Sequence, residues 1–373
     1  MELYNEQTER WMDEHVEETQ QLLRTLCQIP APSHHEEKRA EFCRDWLLKN
    51  GAGQAWIDDA KNVVCPYGEE GPWRIMMAHT DTVFPDTEPM PMTEEGDILR
   101  CPGCGDDTAN LAVLMMLAKY CFAEKPALSH RVLFVCNSCE EGLGNLKGSR
   151  AICRDYGRET EEMISLDGNI DWAVNHAVGS RRYRVTVQTE GGHSFGSFGN
   201  RNAIHVLSRM ITRLYEMKVP EKAKTTYNVG VIEGGTSVNT IAQQASMLFE
   251  YRSEDRTCLE EMERQFREIE EWTRPQCLIL TVELLGERPC DGDVDWEKHA
   301  ALEKRCKAAY HAVTGKELTI SPGSTDCNTF LNAGIPCFCI GAMVGEGAHT
   351  REEWLYLSSL KNGLHLAARL LLG

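Results

Sequence analysis

The chain has 373 residues, 42% of them hydrophobic and 26% charged, which suits a globular protein of about two domains. Its formal net charge of -18 excludes a basic surface for gripping nucleic-acid phosphates. No apolar run is long enough to span a membrane, and sixteen cysteines behind an acidic, amphipathic amino-terminal stretch lead us to expect free thiols and a cytoplasmic setting.

In chain order, the periodicity predicts helices over about 9–29 and 36–48, the first stopped by Pro30 and Pro32. A hairpin-like stretch (55–67) precedes the apolar strand Ile75–Val83, which carries His79-Thr-Asp81. Residues two apart on a strand point to one side, so an imidazole and a carboxylate leave it together, as in a metal-bound His steadied by an acid. Next comes Cys101-Pro-Gly-Cys-Gly-Asp106-Asp107-Thr108, running into the apolar helix Ala109–Ala118. The strands Arg131–Cys136 and Glu162–Leu166 are followed by Glu140-Glu141-Gly142 and Asp167-Gly168. Strands alternating with helices predict an α/β fold with a doubly wound, mostly parallel sheet.

Near Ser180 the pattern changes. Strands at about 181–189, 227–232, 245–253 and 277–285, with helices at 202–217 and 254–274, give the β-α-β-β-α-β order of a ferredoxin-like unit. Residues 180–287 therefore read as an inserted α+β domain, with 1–179 and 288–373 forming one discontinuous catalytic domain. After it the first pattern resumes: a helix from Trp296 to Val313, the Asp326 loop, the strand Pro336–Ile340, His349, and a closing helix over 352–372.

Ligands of open α/β sheets bind beyond the carboxyl ends of the strands. Here that edge would gather His79, Asp106, Glu140, Glu141, Asp167 and His349. Carboxylates so crowded repel one another unless cations neutralise them. Oxygen and imidazole donors without thiolates fit Zn2+, with Mn2+ or Co2+ as alternatives, and the set suffices for two ions sharing one carboxylate. The pairs Cys101-x-x-Cys104 and Cys136-x-x-Cys139 lie too far apart in sequence for a zinc ribbon.

The motifs HTDTV, GDD, EEG, LDG, GGHS, GGTSVN and GAHT, in that order from Ile29 to the last helix, resemble the co-catalytic di-zinc peptidases and deacylases. That family includes peptidase T, carboxypeptidase G, aminoacylase, carnosinase-type dipeptidases and succinyl-diaminopimelate desuccinylase. The resemblance implies His79, Asp106, Glu141, Asp167 and His349 as metal ligands, with Asp106 bridging two Zn2+ ions next to a cis peptide bond. It implies that Asp81 orients His79 and that Glu140 is the general base for a metal-bridging water. His193 would stabilise the oxyanion in a partner subunit's site, and Asn239 and Arg252 would hold the substrate backbone and carboxylate. The inserted unit would then be a lid and dimerisation domain of a homodimer.

Thr108 departs from the Lys that many members carry after the acidic pair, and 195–200 lacks the usual Pro. Asp rather than Glu at 167, and the Asp106-Asp107 doublet, favour an exopeptidase of di- or tripeptides. An N-acyl-amino-acid deacylase with the same mechanism is the alternative. A non-catalytic protein on this fold would lack a ligand or the base, and none is missing.

Overall fold

The computed structural model describes residues 3–373. They divide into two compact units: the chain up to Ala177 together with Gly292–Gly373, and Val178–Asp291. These junctions lie slightly outside the expected 180 and 287, because the first and last strands of the inserted unit, Gly179–Gln188 and Ile279–Arg288, run almost to them.

In the first unit an eight-stranded sheet has the order Trp56–Ile57, Val63–Tyr67, Arg131–Asn137, Trp73–His79, Thr160–Ser165, Cys337–Ile340, Trp172–Ala177, Thr319–Gly323. The four strands from Arg131–Asn137 to Cys337–Ile340 are mutually parallel, and antiparallel strands flank them. Met76, Ala78, Val132 and Phe134 pack on one face, and Ile75, Met77, Leu133 and Val135 on the other. Both faces are covered, which is why these strands read as unbroken apolar runs. The sequence pattern gave no sign of Trp172–Ala177, where Asn175 and His176 interrupt the apolar residues.

The expected closing helix at 352 starts only at Ser359. The alternating Trp354–Tyr356 forms a strand against Ile98–Arg100 instead, with Leu355 buried between exposed or half-buried aromatics. Helix Ser359–Leu372 packs against the buried helix Asn110–Glu124.

In the second unit the strands lie in the order Thr225–Gly234, Gln244–Ser253, Gly179–Gln188, Ile279–Arg288, every neighbour antiparallel. Helices Ala203–Leu214 and Arg256–Thr273 pack on that sheet, each started by a side-chain cap, Asn202 and Asp255. This is the ferredoxin-like order. Among the described residues no helix is long and apolar enough to cross a membrane.

Gly363 shows how closely the first unit is packed. A Cβ there would lie 1.8 Å from the Ala342 carbonyl oxygen. Replacing a helical glycine with alanine ordinarily stabilises by up to about 1 kcal/mol. At this position Gly363→Ala is expected to destabilise by about 1–3 kcal/mol or more through overpacking, read as a lower thermal midpoint. A raised midpoint would mean that the helix moves aside freely.

Candidate metal centre

The parallel register brings the strand ends level: His79 pairs with Asn137 and Met77 with Ser165. The loops that follow these strands carry Asp81, Glu140, Glu141 and Asp167, so the parallel register delivers several candidates to one edge. Three groups of side chains offer ligand atoms within 4.8 Å of one another: His79, Glu140 and Glu141; His79, Asp107 and Asp167; and Asp106, Glu141 and His349.

Asp106 stands at the middle. Its Oδ1 lies 3.1 Å from His79 Nε2, and its Oδ2 lies 3.1 Å from His349 Nε2. The residue does not open a regular helix; it sits in an irregular turn, Cys104–Ala109, with φ -107° and ψ 94°. The Asp106–Asp107 peptide bond is cis. His349 Nε2 also lies 3.2 Å from Glu141 Oε1, a buried oxygen without a hydrogen bond. The donor set of imidazole nitrogens and carboxylate oxygens, with one carboxylate oxygen left orphaned, fits divalent cations. Cys139 turns its thiol to Glu36 Oε1 at 3.1 Å and takes no part in these groups.

Asp81 does more than orient His79. The His79 Nδ1 lies 3.0 Å from the Asp81 main-chain carbonyl and 3.4 Å from its carboxylate. A carbonyl can only accept, so Nδ1 carries a proton and Nε2 is the nitrogen aimed at Asp106. The Asp81 carboxylate accepts the amides of Glu140 (3.0 Å) and Glu141 (3.1 Å) and the Ser33 hydroxyl (2.6 Å). One buried side chain thereby fixes the backbone of both acids.

Several supporting residues escaped the sequence reading. Asp107 accepts the His79 amide at 2.8 Å and the Asn110 side chain at 2.7 Å, so both its oxygens serve the scaffold. Asn110 also donates to Gly168 O, beside Asp167. Glu353 accepts backbone amides of the loop that carries Asp106. Buried Asp326 accepts from Asn137 Nδ2 at 2.6 Å. An acid directly after an apolar run was a signal at Asp167; Glu353 and Asp326 lack it, because distant segments create their environments.

Electrostatics follow from the crowding. Burial, reinforced by the Asp106 charge, pushes Asp167 well above the ordinary carboxylate range and Glu141 up to about 7. Burial, with Glu140 nearby, takes Asp326 to about 7. Burial opposes the charge of Asp106, but His349 and His79 outweigh it and hold that carboxyl below its usual value. Burial also opposes charge on His79, yet Asp107, Asp106 and Asp81 raise it well above the ordinary imidazole value. Asp106 and Glu141 raise His349 to about 11.

In the second unit, exposed His193 lies on a two-residue strand paired with Thr240, and Ser194 N donates to Asn239 O at 2.9 Å. His193 Nδ1 accepts from the amides of Phe195 and Gly196, both at 3.3 Å, which leaves the proton on Nε2. Arg252 is at the far end of the strand Gln244–Ser253, held by both oxygens of Glu250. The structure therefore brings His193 and Asn239 together and keeps Arg252 apart from them.

Residues 75–373 match peptidase family M20/M25/M40, and the chain belongs to that family. It is 26% identical to a succinyl-diaminopimelate desuccinylase of Corynebacterium glutamicum, over 89% of this chain and 90% of that protein. Its fold resembles an M20 family metallo-carboxypeptidase of Sulfolobus solfataricus (TM-score 0.78, 14% identity, 95% of this chain and 98% of that one). It also resembles a tripeptidase of Staphylococcus aureus (TM-score 0.74, 22% identity, 94% and 97%). The protein is a metal-dependent hydrolase of peptide or amide bonds.

Before a cation binds, His349, raised to about 11, holds its proton at neutral pH and Glu141, raised to about 7, holds one part of the time, while burial and the Asp106 charge raise Asp167 as well. A cation must displace those protons, so binding near neutral pH releases them and weakens as pH falls. Calorimetric titration with Zn2+ in buffers of different ionisation enthalpy is expected to show buffer-dependent heats. Identical heats in every buffer would remove these groups from the ligand set.

Proposed function

We propose that this protein is a zinc-dependent exopeptidase acting on di- or tripeptides that carry a free carboxylate. The observation that carries this reading is Asp106, whose two oxygens each face a different imidazole at 3.1 Å. That is the disposition of one carboxylate shared between two cations. Two Zn2+ ions, or Mn2+ or Co2+ in their place, would be held by His79 and Asp167 on one side of Asp106 and by Glu141 and His349 on the other. When bound, they supply Lewis acidity, polarising the scissile carbonyl and lowering the pKa of water towards neutrality.

The remaining work falls to the chain. Glu140 is 5% exposed, its amide is fixed by Asp81, and its carboxylate shares a cluster with His79 and Glu141. It takes the proton from the attacking water and returns it to the leaving nitrogen. Its tether to Asp81 matters because proton transfer needs the carboxylate held within hydrogen-bond reach of the water. His193, with its Nε2 proton outward, donates to the developing oxyanion. Asn239 and Arg252 hold the substrate backbone and carboxylate, Arg252 through its two-pronged guanidinium.

The separation of these residues supports a homodimer with the inserted unit as lid. Arg252 and Gln244 are eight positions apart on one strand, roughly 26 Å at about 3.3 Å per residue. His193 pairs with Thr240, beyond the Gln244 end of that strand, and a separation longer than a di- or tripeptide favours His193 and Arg252 reaching one substrate from two copies. The free thiols of all sixteen cysteines fit a reducing cytoplasm.

The kinship with a desuccinylase over 90% of its length favours a second reading, an N-acyl-amino-acid amidohydrolase. Matched substrates separate the two: free-amine di- and tripeptides against their N-acetylated counterparts, with amino-acid release measured on the zinc-loaded protein. Cleavage confined to the free amines is expected; cleavage of the acylated compounds alone would establish the deacylase. Glu140→Gln is expected to keep the metal content and lower turnover by about 10²–10⁴-fold. Retained turnover would remove Glu140 from the role of base.

A further inference from the structure

Two loops that carry cation ligands start from one small sheet. Strands Ile98–Arg100 and Trp354–Tyr356 pair antiparallel, Arg100 opposite Trp354. The chain leaves the first strand towards Asp106 and enters the second from His349. Glu353, last residue before that second strand, faces back across the gap. Its Oε1 accepts the amides of Gly105 (2.9 Å) and Asp106 (2.8 Å), its Oε2 accepts the amide of Gly103, and its own carbonyl accepts the Cys101 amide at 3.1 Å.

This side chain is only 2% exposed, and nothing in the hydrolytic mechanism uses it. Burying a carboxylate beside Asp106 is unfavourable unless donors compensate, and here three main-chain donors converge on it. All three belong to the irregular turn, or its entry, that presents Asp106. The loop that holds His349 is therefore stapled to the loop that holds Asp106. The close fit extends to Gly105, where an added Cβ would come within 3.0 Å of Glu353 Oε1.

We propose that Glu353 is the positioning residue that sets Asp106 and His349 at cation-binding separation, by clamping the amides of Gly103, Gly105 and Asp106 to the segment after His349. The inference rests on the two-cation reading above. Through the shared Asp106, Glu353 bears on both cations, and it acts most on the one held with Glu141 and His349, since His79 and Asp167 draw further support from Asp81, Asp107 and Asn110.

Glu353→Gln tests it. The isosteric amide can still accept two amides through its oxygen, but its NH2 then faces the Gly103 N–H, donor against donor. Glu353→Asp keeps the charge and shortens the reach by one methylene. Exposed Glu352, its neighbour, gives the control Glu352→Gln. Zn2+ stoichiometry and affinity are measured by calorimetry and by elemental analysis after dialysis, with circular dichroism to confirm the fold.

In Glu353→Gln the weaker Zn2+ is expected to bind about tenfold or more less tightly. Its turnover should return to near the wild-type rate in excess Zn2+, with KM unchanged. Glu353→Asp should fall between, and Glu352→Gln should match wild type. If Glu353→Gln does not fold, the shortened variant decides by the same affinity. Wild-type Zn2+ affinity in a folded Glu353 variant would overturn the proposal. A wild-type protein that binds a single Zn2+ would instead overturn the two-cation reading, and Glu353 would then be judged by the affinity for that one ion.

Discussion

Negative charge confined to the carboxyl edge of one sheet is the constraint on which the first unit depends. Asp81, Asp107, Glu140, Glu141, Asp326 and Glu353 are all buried there, with Asp106 and Asp167 beside them, against two imidazoles. Left alone, such a group would protonate, and burial does push Glu141, Asp326 and Glu353 up to about 7. The fold offsets the repulsion in three separate ways. Backbone amides donate to Asp81 and Glu353, one amide and the Asn110 side chain donate to Asp107, imidazoles face Asp106, and Glu141 is left facing His349, a place a cation fits. The division explains why eight acids so close together do not have eight catalytic roles.

That division also marks what the sequence could reveal. His79, Glu140, Glu141 and Asp167 were legible because each closely follows an apolar strand, and a parallel sheet aligns the strand ends by register. The order of motifs added Asp106 and His349. The bracing residues were illegible for the opposite reason. Glu353 acts on amides about 250 positions away in the chain, and Ser33 on a carboxylate 48 positions away, so no local spacing announces them. The helix expected at 352 failed on the same ground: Trp354–Tyr356 has too little apolar periodicity to choose, and pairing with Ile98–Arg100 decides for a strand.

In the inserted unit the topology was legible from alternating strands and two amphipathic helices, since its sheet buries one face and leaves the other open. The grouping of its polar residues was not. His193 and Asn239 are 46 positions apart in sequence yet adjacent, because Gly192–His193 pairs with Thr240–Ile241. Arg252, only 13 positions beyond Asn239, is remote because an extended strand carries it away. Closeness in sequence and closeness in space are inverted here.

The cysteines supply the remaining contrast. Cys101 precedes and Cys104 opens the turn that presents Asp106, and Cys139 directly precedes Glu140, so sixteen free thiols include three beside the candidate cation ligands. A thiol binds a metal as thiolate, and burial works against that charge: it pushes Cys139 up to about 12 and Cys104 further still. Cys101 alone is drawn down, by its contact with Cys27 inside the core and by the buried guanidinium of Arg39. Arg39 gives its own hydrogen bonds to the carbonyls of Leu26, Ile29 and Thr80, tying the first helices to the end of the His79 strand. The thiols therefore act as small apolar residues that fill the floor under the site. The candidate metal centre is left with oxygen and nitrogen donors, the set that suits a divalent cation without thiolate.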